Sequence, residues 1–279
     1  MKKIIPVIIF LLAVLSLFSV SAEHYNIDGY EVPIDIIING QYLKTDNERA
    51  FIENNTTFVP LRTISEAVGA KVLWDGKTKC ANVTKGELKI KFNDASDTVS
   101  VGKTVLPCVL QIYNGTLYIP VRTFTDIFGY KVNYDNYYYQ VNITAENVTV
   151  PADKTVVSYT PDDMLWLGKI VRAESGGESF ASQLAVANVI LNRVNHYSFP
   201  NTILEVIFDK RHGIQFSPAY NGKIYNVPTN TNIAAAKCAM YGANNIGNSL
   251  YFNLAKHKNS WVAQNRQLFA VIGKQAFYL

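Results

Sequence analysis

The sequence predicts an α+β fold in two domains: a strand-rich region built from two repeats, then a region in which helices are legible. Three observations carry that prediction. Thr56–Asp75 recurs without a gap as Thr116–Asp135, sixty positions further on. A Pro-, Thr- and Ser-bearing stretch with little apolar periodicity, residues 151–160, follows the second copy and reads as a linker. Beyond it, Thr160-Pro161-Asp162-Asp163 opens a helix, with a capping hydroxyl, a proline suited to the first turn and two carboxylates at the positive end of the dipole.

With 279 residues, 48% hydrophobic and 17% charged, the chain can bury two cores and falls outside the collagen-like, coiled-coil and disordered classes. A net charge of +4, with no Lys/Arg run longer than two, excludes a nucleic-acid binder. Three cysteines exclude a disulfide framework. Cys80 and Cys108 fit either a disulfide formed after export or two buried thiols.

Taken in order, Lys2 and Lys3 precede an apolar run to Leu15, and small residues end in Val20-Ser21-Ala22, the pattern of a signal peptide over residues 1–22. The alternative is an uncleaved anchor, for which the apolar stretch is marginal against the ~20 residues of a span. No other run is long enough to cross a membrane, so the mature chain, beginning at about Glu23, is expected to be secreted or attached to the wall.

In the domain expected over 23–150, each repeat reads as a strand into Pro, a short helix with Ile64, Ala67 and Val68 on one side, a stopping glycine and a strand from Lys71. Alternation predicts further strands at Ile34–Ile38, Leu88–Phe92 and Tyr137–Ile143. His24 is the one histidine there, so no metal or other cofactor is expected. Arg62 and Arg122, equivalent in the two copies, read as partners of their own domain's carboxylates, with contact to an anionic glycan as the alternative.

In the domain expected over 161–279, the first helix runs to about Ser175, where Gly176-Gly177 breaks it. Leu167, Ile170, Val171 and Glu174 fall at i, i+3, i+4 and i+7, which puts an acid on the apolar face. Apolar surroundings and the negative helix end both raise its pKa, as a general acid requires; an ion pair with Lys169 or Arg172 is the plainer alternative. Ala181–Val194 is apolar nearly all round and reads as a buried central helix, and Cys238 as a buried residue of a helix over Asn232–Tyr241. His196, His212 and His257 lack metalloprotease spacing, and there is no G-x-S-x-G elbow. Charge changes sign across the linker: residues 23–150 hold 12 basic and 15 acidic groups, residues 161–279 hold 11 and 6. The basic second domain suits an anionic wall polymer.

The repeat region resembles the copper amine oxidase N-terminal-like stalk domain of secreted bacterial proteins. Ala173-Glu174-Ser175-Gly176-Gly177-Glu178, Gln183–Val194, Phe199–Thr202, Gln215-Phe216-Ser217, Ala234–Ala236, Leu250–Asn253, Trp261 and Ile272-Gly273 resemble, in order, the SleB-type cell wall hydrolases, the spore cortex-lytic family. That resemblance implies a mainly helical, lysozyme-like domain acting on peptidoglycan in the wall or spore cortex, with germination as the setting, and Glu174 as catalytic acid. It implies substrate contacts from Gln215, Phe216, Tyr251 and Asn253. Glu178, beyond the glycine break, is a further candidate substrate contact; its position reads as fixing the loop or capping the next helix, with catalysis as the alternative. Leu254 and Gln275 stand where the family commonly carries Pro and His. Glu205 and Asp209 are the acids left after Glu178, and no motif frames them, so a single acid is expected to suffice. The resemblance to lytic transglycosylases implies closure of a 1,6-anhydro ring, with a hydrolytic muramidase as the alternative. The competing function is a non-catalytic wall-binding protein with a degenerate hydrolase domain.

Overall fold

The computed structural model describes residues 26–45, 48–156 and 159–279; the expected signal peptide and His24 lie outside them. In the repeat region, strand Thr56–Pro60 leads into helix α1 (Leu61–Ala67), and strand Thr116–Pro120 into helix α2 (Val121–Phe128). Each helix is followed by a glycine at positive φ, Gly69 and Gly129, and by a strand, Lys71–Asp75 or Lys131–Asp135. The two copies meet where Thr56–Pro60 pairs antiparallel with Thr116–Pro120, with Val59 opposite Ile119. Those two residues are sixty positions apart, so the pairing generates a local twofold relation between the repeats.

The first repeat's outer hairpin extends into a five-stranded antiparallel sheet, Lys71–Asp75 to Thr104–Pro107. The second repeat's pairs through Gln140–Thr144 with Asp35–Ile38 in parallel. Ile36, Val59, Ile64, Val83, Ile119 and Phe124 fill the core between these layers. One strand starts later than its alternation predicts: the Asp135 side chain accepts the amides of Tyr137 and Tyr138 at 2.9 and 3.0 Å, and this turn holds Tyr137–Tyr139 out of the sheet. Cys80 and Cys108 are separate buried thiols.

Five helices build the second region: α3 (Pro161–Ser175), α4 (Phe180–Val194), α5 (Ile203–Ile207), α6 (Asn230–Met240) and α7 (Trp261–Asn265). A three-stranded sheet, Tyr251–Leu254, Gln275–Tyr278 and Leu268–Ile272 in spatial order, closes one side. α4 is buried almost all round and Cys238 on α6 is buried, as their patterns predict. The α3–α4–α6 core also takes in Val32 and Tyr139 from the repeat region. Of the residues expected to link the domains, 151–156 lie along the first of them, with Val156 donating its amide to the Tyr42 carbonyl and the Lys154 ammonium on Glu66, while Tyr159 packs against the core of the second. Among the described residues no helix is long and apolar enough to cross a membrane.

Candidate active site

Glu174 owes its position to the way α3 is bounded. Thr160 and Asp163 form a reciprocal capping box that fixes where the helix starts. At the other end a side chain at Gly176 would meet the Arg172 carbonyl at 2.5 Å, so only glycine fits the exit. Leu167, Ile170 and Val171 are fully buried on the face that Glu174 continues. Its carboxyl makes no hydrogen bond or ion pair with any described residue. Burial pushes its pKa from the ordinary 4.5 to about 7, opposed by the Lys223 ammonium. The alternative pairing with Lys169 or Arg172 does not form: Lys169 lies over the Trp166 ring at 4.0 Å.

A turn from the C-terminal sheet braces the end of this helix. Gly273, at φ +57°, packs so close to α4 that a side chain there would meet Ser182 Oγ at 2.7 Å. Next to it Lys274 pairs with Glu178 at 2.9 Å, and the Gln275 amide donates to the Glu174 backbone carbonyl at 3.4 Å. Glu178 therefore fixes the loop, while the cap of α4 is Ser179. Gln275 is buried, and its Oε1 has no hydrogen-bond partner among the described residues. In the sheet Gln275 lies opposite Leu254, and Ala276 opposite Asn253. At the ~4.8 Å spacing of paired strands, this brings Asn253 to the same end of the sheet as Glu174. Asn253 is held by Ser260, the His257 carbonyl and the Tyr278 hydroxyl.

Tyr251 and Asn253, two apart on one strand, share a face. The Tyr251 hydroxyl accepts from Arg266 at 3.1 Å, and Arg266 also lies over the rings of Tyr251 and of Trp261, which is 60% exposed. This is an open aromatic surface of the kind a sugar face stacks on.

Phe216 is different. Its ring is only 1% exposed and packs against Phe252 and Arg193 in the helical core, so it has no face for a sugar, and the expected substrate contact is corrected to a packing role. Gln215 beside it is half-buried, bonded to the carbonyls of His212 and Gly213 and accepting from Arg193 at 3.4 Å.

Sequence reasoning assigned Arg193 no role. It is 4% exposed, near the end of α4, with its Nε on the Leu250 carbonyl at 2.7 Å and its guanidinium over Phe199, Phe216 and Tyr251. Burial lowers its pKa to about 10. It joins the Gln215 loop to the strand bearing Tyr251 and Asn253; its signal was a lone cation in an otherwise apolar helix. Glu205 and Asp209 have structural duties, Glu205 at the cap of α5 with Thr202 and Asp209 with Arg211.

Residues 177–278 match the cell wall hydrolase family model, which begins three positions after Glu174. The C-terminal region is a cell wall hydrolase domain. Residues 37–155 match the copper amine oxidase N-terminal domain. No group of three or more His, Cys, Asp or Glu side chains that could hold a metal occurs among the described residues, so the donors there do not fit copper. Spore cortex-lytic enzymes of Bacillus cereus and Oceanobacillus iheyensis are 39% and 34% identical over 120 and 128 residues, 43% and 46% of this chain. The match spans 45% of the length of each of those relatives. The solved catalytic domain of the germination-specific lytic transglycosylase SleB from Bacillus anthracis is 36% identical, with 45% of this chain and 100% of that chain aligned at a TM-score of 0.41.

Proposed function

We propose that the chain is an exported enzyme that cleaves peptidoglycan strands at the glycosidic bond after muramic acid, with Glu174 as its single catalytic acid. One observation carries this reading: a carboxyl without a partner, half-buried at the end of α3, whose pKa of about 7 keeps a proton available near neutrality. The other acids that follow in this region are engaged by protein groups: Glu178 by Lys274, Glu205 by Thr202 at the cap of α5, and Asp209 by Arg211. These engagements support a single-acid route over a two-carboxylate hydrolysis.

Glu174 first gives its proton to the bridging oxygen as the bond to muramic acid C1 breaks. The carboxylate so formed takes the proton of the muramic acid 6-hydroxyl as that oxygen closes on C1. The product is a 1,6-anhydro sugar, no water is consumed, and Glu174 ends protonated. Tyr251, Asn253 and Trp261 hold the glycan, and Gln215 shapes the loop facing them. The names of the cortex-lytic relatives support the spore cortex as the substrate and germination as the occasion.

Mass spectrometry of digested wall tests the route. Products one water lighter than reducing muropeptides are expected; reducing muramic ends alone would rule out the anhydro route and require a second carboxylate. Export is tested by N-terminal sequencing, which should read from about Glu23, and retention of Met1 would contradict it.

A further inference from the structure

The turn that follows α4 carries a tyrosine that belongs to neither core. Tyr197 is 94% exposed, yet its ring is stacked on the His196 imidazole, with centroids 4.5 Å apart and planes at 29°. His196 is itself held in the turn: its Nδ1 accepts the Ser198 amide at 3.2 Å and its carbonyl accepts the Phe199 amide at 3.0 Å. Arg211, paired with Asp209, braces the same turn by donating to the Ser198 carbonyl at 3.3 Å. One face of the tyrosine is therefore supported and the other is open to solvent.

A single exposed aromatic residue is ordinary on a protein surface. Tyr197 instead ends a row. His196 lies edge-on to Phe199 at 5.8 Å, Phe199 lies edge-on to Tyr251 at 6.3 Å, and Arg266 joins Tyr251 to Trp261. Arg193 lies against the rings of both Phe199 and Tyr251, so the two halves of the row share one support. The row is thus continuous with the surface assigned above to holding the glycan.

Its direction follows from α4. Near the start of that helix Ser182 donates to the Ile272 carbonyl, beside the turn whose Gln275 reaches the Glu174 carbonyl, whereas His196 and Tyr197 follow the helix's other end. The 15 residues of α4, at ~1.5 Å each, put those ends ~22 Å apart. A sugar on Tyr197 lies several rings along the strand from one at Glu174.

We propose that Tyr197 forms a distal glycan subsite: its open face stacks on a neutral sugar of the same strand that Glu174 cleaves, so long strands bind better than short fragments. This rests on the function proposed above. An aromatic face that carries no charge suits the C–H face of a sugar ring rather than the carboxylates of a stem peptide.

Calorimetric titration tests the subsite with the full chain carrying Glu174→Gln, so that strands are bound without being cut. The probes are peptide-free wall glycan strands, graded from the tetrasaccharide to the dodecasaccharide. Affinity should rise with length. Adding Tyr197→Ala, a change at an exposed side chain, should weaken binding of the longest strand by ~5-fold or more and flatten the dependence on length. Tyr197→Phe keeps the ring and should match the parent. An unchanged long-strand affinity in Tyr197→Ala, or an equal loss in Tyr197→Phe, would overturn the stacking subsite and leave the function proposed above standing. Absence of binding by every strand would overturn both.

Discussion

Lys237 on α6 and Asp35 in the repeat region form an ion pair at 2.7 Å in which both side chains are buried. The ammonium uses all three donors, since it also bonds the carbonyls of Tyr138 and Tyr139 at 2.8 Å each, and Tyr241 donates to the second Asp35 oxygen. Burial lowers the Lys237 pKa while Asp35 opposes the shift. Two regions of different character are thereby locked together by a bond spanning 202 positions of chain.

Removing one member of that pair leaves an uncompensated charge in the core. Lys237→Met is expected to cost about 3–5 kcal/mol in denaturant unfolding, and adding Asp35→Leu should restore much of the loss. Additive losses in the double variant would show that the pair is not coupled.

Glu174 links stability to pH. Its folded pKa, about 7, lies above the ordinary 4.5, so the native state holds more protons than the unfolded chain in that window, and stability falls as pH rises through it. Glu174→Gln lacks this penalty. The variant should be more stable than the parent by up to about 3 kcal/mol above pH 7, with the difference vanishing below about pH 4.5. A constant difference across that range would mean that the carboxyl is not buried as described.

Arg193→Met should damage binding through the glycan-holding surface and leave Glu174 untouched. The Leu250 carbonyl loses its donor, at about 1–3 kcal/mol of stability, and KM should rise more than kcat falls. A loss confined to kcat would place Arg193 in the chemistry instead.

Glu178→Gln breaks only its contact with Lys274, whose side chain is 76% exposed, so stability should change by less than about 1 kcal/mol and lytic activity should fall only mildly. A loss matching that of Glu174→Gln would make Glu178 a second catalytic acid.

What the sequence made legible follows from how local each signal is. The capping hydroxyl of Thr160, the exit at Gly176 and the face shared by Leu167, Ile170, Val171 and Glu174 all lie within one helix, and the structure keeps them as read. The repeat was legible because both copies retain the same strand, helix and glycine. The burial of Phe216 and the role of Arg193 depend on contacts made far along the chain, and the bond from Arg193 to Leu250 crosses 57 positions. Tyr137–Tyr139 misled for a different reason, since their alternation is that of a strand while Asp135 takes two of their amides into a turn.

The central claim is that the Glu174 proton performs the cleavage, and the lytic rate of Glu174→Gln on purified peptidoglycan tests it most directly. Glutamine keeps the shape and hydrogen-bonding capacity of the side chain but can neither give nor take the proton. The rate should fall by ~10²-fold or more while circular dichroism and wall binding match the parent. Full activity in that variant would contradict the assignment of the site.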